Sequence, residues 1–167
     1  GQGQTGIYLE WLNSSGSVIG SYSIASDIHG TLEYQQKSGT VIAPESATSV
    51  RIKPILSAVV SGGDNDAEVW YDNITFGVTS PSVSNLLSNA GFSQGMTSWL
   101  DFGDEEIIDG ASYDGDGKSV RMYDSHGNER SIYQDVATTP GISYALRFAM
   151  KTSNLGSIGQ ARVKLEW

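Results

Sequence analysis

The 167-residue chain contains no cysteine, so no disulfide framework holds it together. It has no apolar run near the roughly 18 residues that a membrane-spanning helix needs, so membrane insertion is not expected. Charge is sparse at 17%, and positive charge sparser: 10 Lys and Arg face 19 Asp and Glu, for a net charge of −9. Nucleic acid is therefore not expected as a partner, because phosphate binding needs a basic footprint. Such an acidic balance serves solubility. The N-terminus carries no basic-then-apolar pattern of the kind a leader shows. Nowhere does a helical period persist. What remains is 38% hydrophobic residues and 20 glycines, the composition of a globular chain of short strands and turns.

The period is two almost throughout. Ile7, Leu9 and Trp11 alternate with Tyr8 and Glu10, and Val50, Ile52 and Pro54 with Arg51 and Lys53. Val120 and Met122 alternate with Arg121 and Tyr123; Leu146, Phe148 and Met150 with Ala145, Arg147 and Ala149; Val163, Leu165 and Trp167 with Arg162, Lys164 and Glu166. Alternation of this kind predicts half-buried strands with one face on a core. Turn signals separate them at Asn13-Ser-Ser-Gly16, Ser61-Gly-Gly-Asp-Asn65, Tyr113-Asp-Gly-Asp-Gly117, Pro140-Gly141 and Asn154-Leu-Gly156. Many short strands at regular spacing predict an all-β, antiparallel β-sandwich.

The motifs run in an inverted order. Tyr71-Asp-Asn-Ile-Thr-Phe-Gly77 reads as the last strand of a domain, and Asn85-Leu-Leu-Ser-Asn-Ala-Gly-Phe92 reads as a first strand. The end also repeats the beginning. Gly1-Gln-Gly-Gln-Thr-Gly-Ile-Tyr-Leu-Glu-Trp11 and Gly159-Gln-Ala-Arg-Val-Lys-Leu-Glu-Trp167 share Gly-Gln, a spacer, an alternating strand and Leu-Glu-Trp. One sandwich has room for one such strand. The N-terminal copy is expected in the native slot, and residues 161–167 on an open edge or exchanged into a second molecule as a strand-exchanged dimer.

The segment Asn85-Leu-Leu-Ser-Asn-Ala-Gly-Phe-Ser-Gln-Gly-Met-Thr-Ser-Trp99 resembles the opening of the β-jelly-roll carbohydrate-binding modules of families 4, 9, 16 and 22. Gly117-Lys-Ser-Val-Arg-Met122, Ile132-Tyr-Gln-Asp-Val136 and Pro140-Gly-Ile-Ser-Tyr144 continue that pattern. Tyr8–Gly20 is similar to the family's middle hairpin, and Ala43–Arg51 and Tyr71–Phe76 to its last two strands. The chain departs from the pattern at Ser93, where an acidic residue often stands, and around Leu32 and Tyr34, where a tryptophan often does. The resemblance implies a jelly roll in circularly permuted order: 1–77 as back half, 78–84 as linker between the old termini, 85–167 as front half. Nearby termini make such a permutation structurally cheap. A fragment cut from tandem modules is the alternative reading of the same order.

The resemblance also implies a non-catalytic module that binds polysaccharide or oligosaccharide on a concave sheet face. It would belong to a larger, secreted or cell-surface protein. The outward parity set holds six of the ten basic residues. From it the ligand platform is expected to include Tyr8, Arg51, Lys53, Arg121, Tyr123 and Arg147, with Phe102 placed near a stacking ring of family 16 modules. Arginine offers a planar fork of donors suited to hydroxyls or carboxylates. Trp99 is expected in the core; Trp70 and Tyr71 are open between packing and binding. A structural calcium ion (Ca2+) is implied at Asp72, with Asp64 and Asp66 a weaker candidate pair. Other apparent motifs fail. Gly117-Lys-Ser119 lacks the first glycine of a P-loop, which falls on Ser112. Asp114-Gly-Asp-Gly117 lacks the EF-hand glutamate, which falls on Ser125. His29 and His126 have no nucleophile at a recognisable spacing. Asp101, Asp104, Glu105 and Glu106 read as solvated loop charge before they read as glycosidase carboxylates. The runner-up function is a structural β-sandwich repeat of an adhesion protein without a sugar site.

Overall fold

The structure, a computed structural model, describes residues 4–25, 28–57, 67–80, 84–102, 105–124 and 129–155. Among the described residues ten strands run in chain order: β1 (Gln4–Leu12), β2 (Val18–Ile24), β3 (Gly30–Ile42), β4 (Ser49–Ser57), β5 (Ala67–Val78), β6 (Leu100–Phe102), β7 (Glu105–Asp109), β8 (Lys118–Asp124), β9 (Glu129–Ala137) and β10 (Ser143–Leu155). They form two five-stranded sheets, β2-β1-β4-β9-β6 and β3-β10-β5-β8-β7. Every described pairing is antiparallel. The all-β sandwich expected from the alternation is what the chain adopts.

The sheets close over one core. Ile7, Leu9 and Trp11 of β1 and Val50 and Ile52 of β4 meet Tyr71 and Phe76 of β5, Val120 and Met122 of β8, and Leu146, Phe148 and Met150 of β10. The alternating apolar residues read from the sequence are buried wherever the structure describes them. Both halves of the chain contribute to both sheets: β10 lies between β3 and β5, and β9 lies against β4. Neither half completes a sheet alone, and an incomplete half would expose open edges. The N-terminal Leu-Glu-Trp copy occupies β1, internal to its sheet between β2 and β4. The second copy, and the expected edge pairing or exchange of residues 161–167, lie outside the described residues.

One polar knot ties the sheets together through the core. The Tyr71 hydroxyl accepts from Gly6 N at 2.7 Å and meets Ile55 O at 2.6 Å, Gly6 O at 2.8 Å and Thr5 Oγ1 at 2.8 Å. Burial raises its pKa well above that of an ordinary tyrosine, so the hydroxyl stays neutral. Gly6 must be glycine here: its φ is +132°, and an added Cβ would lie 2.5 Å from Ile24 O.

The opening segment departs from expectation. Asn85–Phe92 is not a strand; it crosses beside β5 as an irregular stretch. Asn85 Oδ1 accepts from Phe76 N at 2.9 Å and Leu87 N at 3.1 Å, while its amide donates to Ile74 O at 3.2 Å. Asn89 and Phe92 adopt left-handed φ of 49° and 57°, which breaks an extended run. Two backbone bonds to β5 remain, Leu86 N to Phe76 O at 2.7 Å and Ile74 N to Ala90 O at 3.1 Å, and the Asn85 side chain supplies the contacts between them. One smaller departure follows. The expected turn at Asn154 lies inside β10, where φ is 54° and the register to β3 slips. Asn13 makes the turn it signals, its Oδ1 accepting from Ser15 N and Ser17 N at 3.0 Å each. The Ser61–Asn65 signal, with Asp64, lies outside the described residues.

Candidate functional site

Outward parity has two destinations, because a sandwich has two outer faces. Tyr8 and Glu10 of β1 and Arg51 and Lys53 of β4 stand outward on one sheet; Arg121 and Tyr123 of β8 and Arg147 of β10 stand on the other. The ligand set expected from the sequence is therefore divided between opposite sides of the domain. Phe102 closes β6 with its backbone opposite Ser131, in the sheet of Arg51.

On that first face the register makes rows across the strands. Glu10, Arg51 and Asp135 are neighbours in one row; Tyr8, Lys53, Tyr133 and Leu100 in the next; Ile55 and Ser131 in the third. The Lys53–Tyr133 step follows from that register, two positions from the Arg51–Asp135 pair. Strands about 4.8 Å apart and alternate residues on one face fix these side chains without any loop. Glu10, Arg51, Lys53, Glu129, Ser131 and Tyr133 line a cleft of about 490 Å³. Tyr133 lies in the Ile132–Val136 motif but carried no assigned role, and its period-two parity against buried Ile132 was the signal available.

Both cations of the cleft are paired with carboxylates. Arg51 donates through Nε at 2.8 Å and Nη2 at 2.9 Å to the two oxygens of Asp135, a bidentate fork. Its guanidinium lies 4.3 Å from the centre of the Tyr133 ring, and Nη1 is 4.0 Å from Glu10. The bond to Asp135, against some burial, pushes the Arg51 pKa further up, so the group is a permanent cation. Lys53 Nζ lies 2.6 Å from Glu129 Oε1. Burial first, and the Glu129 charge second, raise the Tyr8 phenol. Ser131 Oγ is buried in the structure without a hydrogen-bond partner.

The opposite face holds similar residues differently. Lys151 Nζ lies 5.4 Å from the Trp70 ring centre and Arg121 lies 5.5 Å from that of Tyr123. Arg121 also pairs with Glu68. Arg147 is exposed and lines a hollow of about 190 Å³ with Thr75, Asn85 and Ala145, none of them aromatic. Of the two residues left open, Tyr71 is core and Trp70 is half-buried on this face; Trp99 is core, with its indole N–H donating to Asn89 O at 3.1 Å.

Asp72 sits elsewhere, at the bulge of β5, where Asn73 has φ 50°. Its carboxylate meets Asp114 and Asp116 of the β7–β8 loop, with an oxygen from each within 4.8 Å of the others. The sequence suggested only the first. Asp72 is fully buried; Oδ1 accepts from Asn73 N and Oδ2 from Tyr113 N, both at 2.6 Å. Burial lifts its pKa to about 6, the two N–H bonds oppose the rise, and the Asp114 and Asp116 charges add to it. Three converging carboxylates are the hard oxygen donors that calcium takes. Gly91 of the opening segment lies beside them, a Cβ there falling 3.7 Å from Asp116 Oδ2 and 3.9 Å from Asp72 Oδ1. Exposed Ser93 supplies no carboxylate.

Asp101 is exposed, and the side chains of Glu105 and Glu106, with Asp64, Asp66, Asp104 and His126, lie outside the described residues. Among the described residues no helix is long and apolar enough to cross a membrane. No family model and no curated protein matches the chain. Among solved structures, the crystal structure of envelope protein VP37 from White Spot Syndrome Virus aligns over 91% of this chain and 98% of its own, at 10% identity and a TM-score of 0.29. A likeness that slight bears on neither fold nor function.

Proposed function

We propose that the chain is a non-catalytic carbohydrate-binding module of a secreted or cell-surface protein, a permuted jelly roll that holds a sugar chain on the outer face of the β2-β1-β4-β9-β6 sheet. The observation that carries this is the cleft itself. It sets the Tyr133 ring among the donors and acceptors of Glu10, Arg51, Lys53, Glu129 and Ser131, all on regular strands. Sugars present apolar C–H faces to rings and hydroxyls to polar groups, so a cleft that combines an aromatic side chain with polar ones suits them. The platform is thus moved from Tyr123 and Arg147 to Tyr133, with Tyr8, Arg51 and Lys53 retained.

Two carboxylates in one cleft would suit a glycosidase. Here Glu129 is bound to Lys53 and Glu10 lies beside Arg51, which favours binding over acid–base work. The adhesion-repeat reading calls for an outer face filled by large side chains, and the open cleft weighs against it. In this reading Asp72, Asp114 and Asp116 hold a calcium ion that joins the β7–β8 loop to β5 beside the opening segment. Native gel electrophoresis through a panel of immobilised soluble polysaccharides tests the function. Retardation by at least one, lost in Tyr133→Ala with unchanged melting temperature, is the expected result. Full mobility in every gel would remove the carbohydrate reading.

A further inference from the structure

Resting on that reading, we infer that Arg51 is a positioning residue, not an anion clamp, and that the cleft takes an uncharged sugar chain and turns away acidic ones. The fork of Arg51 is already occupied by both oxygens of Asp135, and its remaining nitrogen faces Glu10. The guanidinium carbon lies over Tyr133, 4.3 Å from the ring centre. A cation fixed by a carboxylate fork and set over a ring restrains that ring. Lys53, the other cation of the cleft, is 2.6 Å from Glu129. Counting Asp135, two cations stand among three carboxylates of the described residues here, so their charge does not favour an incoming carboxylate or sulfate. An acidic glycan would have to displace Asp135 or Glu129 and leave that carboxylate beside its own charge. Uncharged hydroxyls can instead bridge the paired groups.

Electrophoresis through hydroxyethylcellulose, galactomannan, polygalacturonate and alginate decides this for the intact chain. The wild type should be slowed by one or both neutral polymers and by neither acid. Raising sodium chloride from about 0.05 to about 0.5 M should leave that retardation within twofold, because no net ion pairing with the ligand is involved. Asp135→Asn frees the Arg51 fork. It should lose about tenfold affinity for the neutral polymer and gain retardation by polygalacturonate, a change of preference that a packing role alone would not produce. Arg51→Lys, which keeps the charge without the fork, should show the same loss and no gain. Retardation by the acids alone, or a salt-sensitive neutral complex, overturns the inference and leaves carbohydrate binding standing. Retardation by nothing overturns both. Unchanged preference in a folded Asp135→Asn removes the positioning role, and undiminished neutral binding in Arg51→Lys removes it should the Asp135 variant fail to fold.

Discussion

On the outer face of the β2-β1-β4-β9-β6 sheet, Arg51 and Lys53 reach along the sheet to carboxylates on the neighbouring strand, and a cleft of about 490 Å³ remains among them. On the outer face of the β3-β10-β5-β8-β7 sheet, Lys151 and Arg121 lie near the Trp70 and Tyr123 rings, and the hollow there is about 190 Å³ with no aromatic lining. The two faces draw on nearly the same residue types. What separates them is the cross-strand neighbour: β9 supplies Glu129, Tyr133 and Asp135 beside β4, whereas β5 supplies Glu68 and Trp70 beside β8. Composition makes both faces candidates, and register favours one as a site.

The largest expected effect breaks both faces together. Tyr71 is the buried tie from β5 to β1 and β4. Tyr71→Phe keeps the ring and strips Gly6 N of its acceptor, and a buried unsatisfied donor costs about 1–3 kcal/mol. Chemical denaturation should show a loss of about 2–4 kcal/mol at unchanged slope, with several buried partners affected at once. A loss below about 0.5 kcal/mol would mean that water replaces the hydroxyl and that the sheets are joined by apolar packing alone.

A second measurement acts on one end of the molecule. Calcium held by Asp72, Asp114 and Asp116 would bind the folded state only and would add about 2.7 kcal/mol at a free concentration one hundred times its Kd. The melting temperature should rise with calcium and fall with chelator, and Asp72→Asn should remove the response. Sugar binding at the distant Tyr133 cleft should persist in the calcium-free protein below its melting temperature. Indifference of the wild-type melting temperature to both additives would leave the three aspartates as loop charge.

These elements differ in how far the sequence reveals them. Alternation told core from surface because the period of a strand is a local property: Leu9, Ile52, Met122 and Phe148 are buried as their spacing required. It could not tell one outer face from the other, since Arg51 and Arg121 have the same parity and lie in different sheets. Tyr133 meets Arg51 through pairing between β4 and β9, whose partners are more than 70 residues apart, with Arg51 and Asp135 84 apart. Asp114 and Asp116 failed as an EF-hand on Ser125, where the glutamate belongs, and local spacing could not show that Asp72 of β5 lies beside them. The opening segment misled for the opposite reason. Its motif was legible, but the segment keeps only isolated backbone bonds to β5, with the Asn85 side chain bonding β5 between them and Asn89 folding the chain back on Gly95.

A sharper version of the comparison mutates one tyrosine on each face. Tyr133→Ala should weaken binding to whichever neutral polymer retards the wild type by about tenfold, which is ~1.4 kcal/mol. Tyr123→Ala, with its ring beside Arg121 on the far side, should change it less than twofold. Both variants should keep the wild-type melting temperature within a few degrees, since neither ring is core. Equal losses would indicate a ligand that wraps both faces; a loss in Tyr123→Ala alone would transfer the site to the other sheet.

The smallest effect concerns the ion pairs themselves. Lys53 and Glu129 are 2.6 Å apart with the lysine side chain 23% exposed; Lys151 and Glu33 are 3.8 Å apart with the glutamate 89% exposed. Exposed pairs contribute about 0–1 kcal/mol, because water screens them and ordering two long side chains costs entropy. A double-mutant cycle of Lys53→Met with Glu129→Gln should therefore give a coupling of about 0.5 kcal/mol, and the Lys151 and Glu33 cycle none that can be measured. The difference should shrink further in about 1 M salt, where the screening length is near 3 Å. A larger coupling at Lys151 than at Lys53 would show that the face without the cleft is the more tightly ordered one, and would reverse the comparison on which the choice of site depends.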